Sequence, residues 1–272
     1  MGSEEIDTVV ELYESGMSCR EVGRRMEMSP QQVHSHLKRE GTKIRTRADA
    51  IRLARNKHFQ ITDQALETID GLLLGDGHLT PGKRGESYLV VNQAPERRDW
   101  LEIAAKSLND VGIVTTIKPR KAGKPKVYNG VTVVNRGGWK LSSKSYVQLS
   151  EQRHRWYPGG EKRIPEDVRL TPRAVSLWYA GDGYSAQRRL GFCTNSFRKE
   201  DVDAVCGRLN EAYDLGAYVY MRAKGKKSET YRRYPVLLIA NKQGAERLIS
   251  LIDPTGFPRS MVYKLDLKGW AE

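Results

Sequence analysis

IDGLLLGDG, residues 69–77, decides the fold, because the chain carries a second version of it: VSLWYAGDG, residues 175–183. Each copy is an apolar, helix-length run ending in Gly-Asp-Gly, and the two aspartates, Asp76 and Asp182, stand 106 residues apart. One Gly-Asp-Gly says little, since Asp-Gly is a common hairpin turn. Two copies say more, because self-similarity at a fixed spacing marks a duplicated structural unit.

Further landmarks recur at similar offsets from each aspartate. Gln93 follows Asp76 by 17 residues and Asn195 follows Asp182 by 13, each closing a β-like segment (YLVVNQ, LGFCTN) that leads into a helix. Lys118, Arg120, Lys121, Lys124 and Lys126 lie 42 to 50 residues after Asp76; Arg222, Lys224, Lys226, Lys227, Arg232 and Arg233 lie 40 to 51 after Asp182. Late in each half a tyrosine and a lysine come together, Tyr157 with Lys162 and Tyr263 with Lys264. The hydrophobic periodicity of each half reads helix, strand, strand, helix, strand, strand, helix. The expected class is α+β: two pseudo-symmetric αββαββα halves, residues 65–168 and 169–272, with each aspartate just beyond a helix C-terminus.

Ahead of the duplication, residues 5–40 predict three short helices, with Ile6, Val9, Val10 and Tyr13, then Val22 and Met26, then Val33 and Leu37 at helical spacing. Ser18 with Glu21 and Ser29 with Gln32 are two capping-box patterns, and Pro30 occupies a first-turn position. This is the outline of a small all-α helix-turn-helix domain over residues 1–40. Its last helix would lie in the major groove, with Gln31, Gln32, Ser35 and Lys38 toward bases or phosphates. The alternative is a helical bundle for packing or protein contact. The stretch LYESGMSCREVGRRMEMSPQQVHSHL resembles the helix-turn-helix domains of resolvase-like recombinases and phage proteins. Residues 41–64 read as a basic linker, with Arg45 and Arg47 suited to a phosphate backbone, either as a tether or as a helix along DNA.

Composition bounds the function. A net charge of +13 points to a polyanionic partner, nucleic acid first. The longest apolar runs fall well short of the roughly 20 residues a membrane span needs, and the acidic N-terminus lacks a secretory pattern. An intracellular protein is expected, in a bacterial or phage-infected cytoplasm. Cys19, Cys193 and Cys206 show no metal-site or disulfide spacing, and the five histidines are scattered.

The duplicated motif resembles the LAGLIDADG homing endonucleases, with GLLLGDG and LWYAGDG as signature helices. LSSKSYVQLSEQRHRWYPGGEKRIPED, LGFCTNSF and FPRSMVYKL are similar to a phage and organellar branch, and the resemblance covers residues 65–268. It implies that the two helices pack at the domain centre and bring Asp76 and Asp182 to the scissile phosphates. Carboxylates are hard ligands for Mg2+ (or Mn2+), and the carbonyls of Gly75 and Gly181 are candidates to complete the coordination. Gly71 and Gly75 share one helix face for close packing, whereas Leu177 replaces the first glycine in the second motif, so an asymmetric interface is expected. The family's polar and basic residues around the metals fall on Gln93 and Arg97 in one half and on Asn195 and Lys199 in the other. Lys162 and Lys264 match its basic residue near the phosphates, as a catalytic charge or as a simple phosphate contact. The implied partner is double-stranded DNA, bound by a monomer whose strand-rich basic segments read an asymmetric target in the major groove. Two alternatives stay open: a non-cleaving DNA-binding transcription regulator and an RNA maturase that assists intron splicing.

Overall fold

The computed structural model describes residues 3–83, 85–123, 126–128, 131–133, 136–224, 232–252, 256–267 and 270. The chain forms two units, residues 1–59 and 60–272.

The first unit holds helices α1 (Ser3–Glu14), α2 (Cys19–Arg25), α3 (Pro30–Arg39) and α4 (Arg47–His58). Both capping boxes form: Ser18 accepts from the Glu21 amide and Ser29 from the Gln32 amide, and the Glu21 and Gln32 side chains accept in return from the cap amides. Val9, Tyr13, Val22, Val33 and Leu37 make the core. A Cβ on Gly23 would meet the Met28 carbonyl oxygen at 2.5 Å, so only glycine lets the α2–α3 turn close this tightly. Of the two forms open to residues 41–64, tether or helix, the helix is present. Much of the stretch is α4, capped by Thr46 accepting from the Asp49 amide, with Leu53 placed 3.5 Å from where a Gly16 Cβ would stand. The division of the chain falls after Phe59. Arg45 closes the unit internally: its backbone N–H donates to the Tyr13 hydroxyl at 2.9 Å, its guanidinium donates to the Met17 carbonyl, and the same group lies 3.7 Å from the Tyr13 ring centre.

The second unit repeats one plan twice. The first half runs α5 (Asp63–Leu74), β1 (Gly77–Pro81), β2 (Ser87–Gln93), α6 (Arg98–Asp110), β3 (Thr115–Arg120), β4 (Lys126–Tyr128), β5 (Val131–Val133), β6 (Gly138–Ser143) and α7 (Val147–Trp156). The second runs α8 (Pro172–Asp182), β7 (Gly183–Ala186), β8 (Arg189–Phe192), α9 (Lys199–Tyr213), β9 (Ala217–Lys224), β10 (Arg232–Ile239) and α10 (Lys242–Leu251), followed by a 3₁₀ segment, Arg259–Leu265. Each half builds a four-stranded antiparallel sheet, ordered β1-β2-β6-β3 and β7-β8-β10-β9. The first half departs from the αββαββα plan by a small β4–β5 hairpin between β3 and β6.

Strand alternation gives each sheet one apolar face and one open face. Leu79, Leu89, Val91 and Leu141 lie buried on one side of the first sheet; Leu190, Phe192, Leu237 and Ile239 do the same in the second. Helices α5 and α8 pack against each other at the centre. A Cβ on Gly71 would meet Ala174 oxygen at 2.6 Å and Leu177 Cβ at 3.0 Å, so glycine on α5 makes room for the bulkier α8. The expected asymmetry at Leu177 is thus present, with the small residue on one helix serving both. Among the described residues no helix is long and apolar enough to cross a membrane.

Candidate active site

The two helices end side by side. A Cβ added to Gly181 would stand 3.1 Å from Asp76 Oδ2, and one added to Gly75 would stand 3.8 Å from the Asp182 amide. Both aspartates therefore emerge at one point, where each chain segment leaves its helix for the first strand of a sheet. Burial pushes the Asp182 carboxyl up to about 7, reinforced by the negative charge of Asp76 and opposed by Lys162 and Lys264. Asp76 is also raised by burial, against the lowering influence of Lys264, Arg97 and a hydrogen bond from Gln93. Two desolvated carboxylates that repel each other are a site arranged for added positive charge.

Gln93, 6% exposed at the end of β2, donates from Nε2 to Asp76 Oδ2 and orients that carboxylate. Among the described residues the second half shows no such partner at the same place. Gly77 pairs with Val91 and Gly183 with Phe192, so the residue in register with Gln93 is Thr194. Thr194 is fully buried and donates to the Pro235 carbonyl at 2.9 Å, while Asn195, next along, is exposed. The two first hairpins differ in length, Gly77 to Val91 spanning 14 residues and Gly183 to Phe192 nine, so the counterpart of Gln93 falls one residue before Asn195.

The late lysines converge from opposite sides. Lys162 Nζ donates to the Gly77 carbonyl at 2.9 Å; Lys264 Nζ, on a residue 3% exposed, donates to the carbonyls of Ala180 at 2.7 Å and Gly181 at 2.9 Å. Burial lowers each to about 8, and both aspartates act on each to hold the proton. The two ammonium groups tie down the backbone on either side of the acids, which satisfies carbonyls left open at helix ends. Arg97 is near enough to depress Asp76, and its Nη2 lies 3.4 Å from the Tyr263 hydroxyl. Lys199, by contrast, is engaged with Asp203 at 2.5 Å on the exposed side of α9.

A divalent cation fits this donor set in part. Asp76 and Asp182 supply two hard oxygen ligands, as few protein ligands as Mg2+ commonly takes when substrate phosphate completes its shell. Among the described residues no group of three or more His, Cys, Asp or Glu could hold a metal without such help. The Gly181 carbonyl already accepts from Lys264 and has one lone pair left.

The basic residues distribute as follows. Lys118 and Arg120 lie on β3 with Lys121 just beyond; Lys126 lies on β4, Arg222 and Lys224 on β9, and Arg232 and Arg233 on β10. Lys124, Lys226 and Lys227 fall outside the described residues. On α3, Gln31, Gln32, Ser35 and Lys38 are exposed, opposite buried Val33 and Leu37, and Arg47 is exposed at the start of α4.

Sequence reasoning passed over Asp70. It is fully buried on α5 and accepts from Arg155 Nη1 at 2.6 Å and Nη2 at 3.1 Å, from Trp156 Nε1 at 3.0 Å and from the Arg169 amide at 2.9 Å. The signal was an acid inside an otherwise apolar run, which survives burial only with partners. Through it α5 is fixed to the end of α7 and to the connection between the halves.

Residues 66–245 match the LAGLIDADG DNA endonuclease family. The chain is similar to cytochrome b mRNA maturase bI2 of Debaryomyces hansenii, 25% identical over 77% of this chain and 76% of that protein. It is likewise similar to the Saccharomyces cerevisiae protein of that name, 28% identical over 74% of this chain and 47% of that one. An uncharacterized protein of Methanocaldococcus jannaschii is 30% identical over 48% of each chain. The chain thus spans about half the length of two of these relatives and three quarters of the third. In three dimensions it is similar to the homing endonuclease I-WcaI bound to its DNA recognition sequence, with a TM-score of 0.62 at 20% identity, covering 84% of this chain and 97% of that one.

Proposed function

The chain belongs to the LAGLIDADG DNA endonuclease family, and from that membership we propose that it is a site-specific endonuclease that hydrolyses both strands of a long asymmetric DNA duplex with a divalent cation, Mg2+ or Mn2+. The observation that carries this reading is the meeting of Asp76 and Asp182 at the adjoining ends of α5 and α8, where neighbouring cationic side chains and the Gln93 hydrogen bond oppose their burial and repulsion.

In this reading the two carboxylates hold the cation, Gln93 aims the Asp76 carboxylate, and Lys162 and Lys264 keep the carbonyl-lined turns rigid while offering positive charge to a phosphate. A bound divalent cation would supply an activated water and stabilise the departing oxygen. The open faces of the two sheets lie along consecutive stretches of major groove, and Lys118, Arg120, Lys121, Arg222 and Arg233 reach phosphates or bases at their edges. With both halves in one chain, a monomer suffices. Each half covers about one helical turn, roughly 10 base pairs. The first unit acts as a helix-turn-helix that adds contacts through Gln31, Ser35 and Lys38. Arg45, engaged with Tyr13 and Met17, serves that unit's fold instead. Action on DNA sets the protein inside a cell.

The test is cleavage of a randomised duplex library with Mg2+ and with EDTA, sequencing the ends that appear only with metal. One long asymmetric site supports the proposal; binding without any cut overturns it in favour of a regulator. The similarity to two maturases favours a second reading, assistance to intron splicing. Acceleration of splicing of a host intron RNA by the purified protein, undiminished in Asp76→Asn, would support it.

A further inference from the structure

The two open sheet faces carry different chemistry. In the first sheet, register aligns His78 with Val90, Ser142 and Thr116, Thr80 with Tyr88, and Asn92 with Lys140 and Lys118. Most of these side chains form hydrogen bonds or carry charge. In the second sheet, the corresponding rows are Tyr184 with Gly191, Leu238 and Tyr218, then Val236 with Tyr220, then Tyr234 with Arg222. Tyr184, Ala186, Gln187, Arg189, Tyr220 and Arg222 line a recess of about 70 Å3 on one face, together with Val236 and Leu238, which are only 3% and 5% exposed. A Cβ on Gly191 would meet Tyr184 Cζ at 2.7 Å and Leu238 Cδ2 at 2.9 Å, so the glycine lets the Tyr184 ring lie across the sheet.

Tyr218 and Tyr220 are 39% and 53% exposed although the apolar side of this sheet is already covered by its own core, so their rings are a surface for a partner. In the major groove, hydrogen-bonding side chains read base edges, whereas apolar side chains read the thymine C5-methyl group. We propose that the half-target under the second sheet is a thymine-rich stretch recognised by C5-methyl contact with the rings of Tyr184 and Tyr220. Arg222 reads the base edge beside it. The half-target under the first sheet is recognised by hydrogen bonds from Asn92, Lys118 and Lys140. This inference rests on the endonuclease reading and adds to it the chemistry of the substrate.

The test uses the full chain and deoxyuridine, which differs from thymidine only by the missing methyl and keeps every hydrogen-bonding group. A site recovered from the randomised library is resynthesised with deoxyuridine in one half or the other. Arg222→Ala, through the base position at which it relaxes preference, identifies the half under the second sheet. The expected result is weaker binding by about fourfold for each buried methyl removed in that half, and less than about twofold from all substitutions in the other. Tyr220→Ala, at an exposed position that leaves the fold intact, should abolish much of the deoxyuridine effect. Equal effects in both halves, or none in either, overturn the inference and leave the endonuclease intact. No cleavage of any library member, or binding that needs these tyrosines but selects RNA, overturns the inference together with the reading beneath it.

Discussion

Arg155 closes a fork on Asp70, with Nη1 at 2.6 Å and Nη2 at 3.1 Å, and the carboxylate it holds is fully buried on the helix that leads into Asp76. A buried pair of this kind gives little net stability when both partners are present but costs heavily when one is removed. Asp70→Asn, which removes the buried charge and leaves the guanidinium on the exposed Asp167 at 2.8 Å, should lower the unfolding free energy by about 3 kcal/mol in urea titration. A loss under about 1 kcal/mol would mean that water reaches the fork.

Asp76→Asn and Asp182→Asn should each reduce cleavage by about a thousandfold or more while DNA affinity in EDTA changes less than about threefold. Cleavage assays and filter binding read the two quantities separately. Parental cleavage rates in either variant would remove that aspartate from the site.

The ionisation of Asp182 sets a pH dependence. Its folded value of about 7 lies above the ordinary 3.8, so the folded chain holds more protons than the unfolded one between these values. The stability this contributes is present at low pH and is lost as pH rises toward about 7. Without divalent cation, thermal melting should therefore show Asp182→Asn gaining on the parent as pH rises from about 5 to about 7.5. A constant difference across that range would contradict the assignment.

Protons and cation compete for the same carboxylates. The Mg2+ concentration giving half-maximal cleavage should fall by up to about tenfold per pH unit as pH rises toward about 7, then level off. A requirement independent of pH would show that Asp182 does not bind the ion.

Lys264→Met breaks two hydrogen bonds to the end of α8 and removes a charge, whereas Lys162→Met breaks one. Both should slow single-turnover cleavage by about 100-fold, with the greater loss of thermal stability in Lys264→Met. Unchanged turnover in both variants would reduce the lysines to simple contacts.

Removing residues 1–59 should weaken DNA binding and flatten its salt dependence, because each phosphate the first unit no longer neutralises leaves about one counterion in place on the DNA. An identical slope of affinity against salt in the shortened chain would assign the first unit to protein contact.

Much of this was legible in the residues. The duplicated Gly-Asp-Gly, its apolar approach and the trailing lysines identified two equivalent halves and one acid from each, and the capping boxes at Ser18 and Ser29 predicted helix starts that the structure forms. Those signals are local or repetitive, so periodicity alone carries them. What needed tertiary structure was pairing across distance. Asp70 and Arg155 are 85 residues apart, and nothing local ties them. Register, fixed by hairpin length, set Thr194 where the offsets had pointed to Asn195. Residues 47–58 were open to tether or helix, and the structure sets them as a helix in the first unit, with Leu53 beside Gly16.

The amino-acid order by itself determined which segments become helix or strand, and that two acids end the two central helices, because propensity, capping and repetition act between near neighbours. Only the tertiary structure decided that those acids share one desolvated point, that two lysines bind backbone rather than standing free, and that the two sheet faces differ in chemistry. Those properties arise from burial and from register between distant strands, and neither exists until the chain has closed on itself.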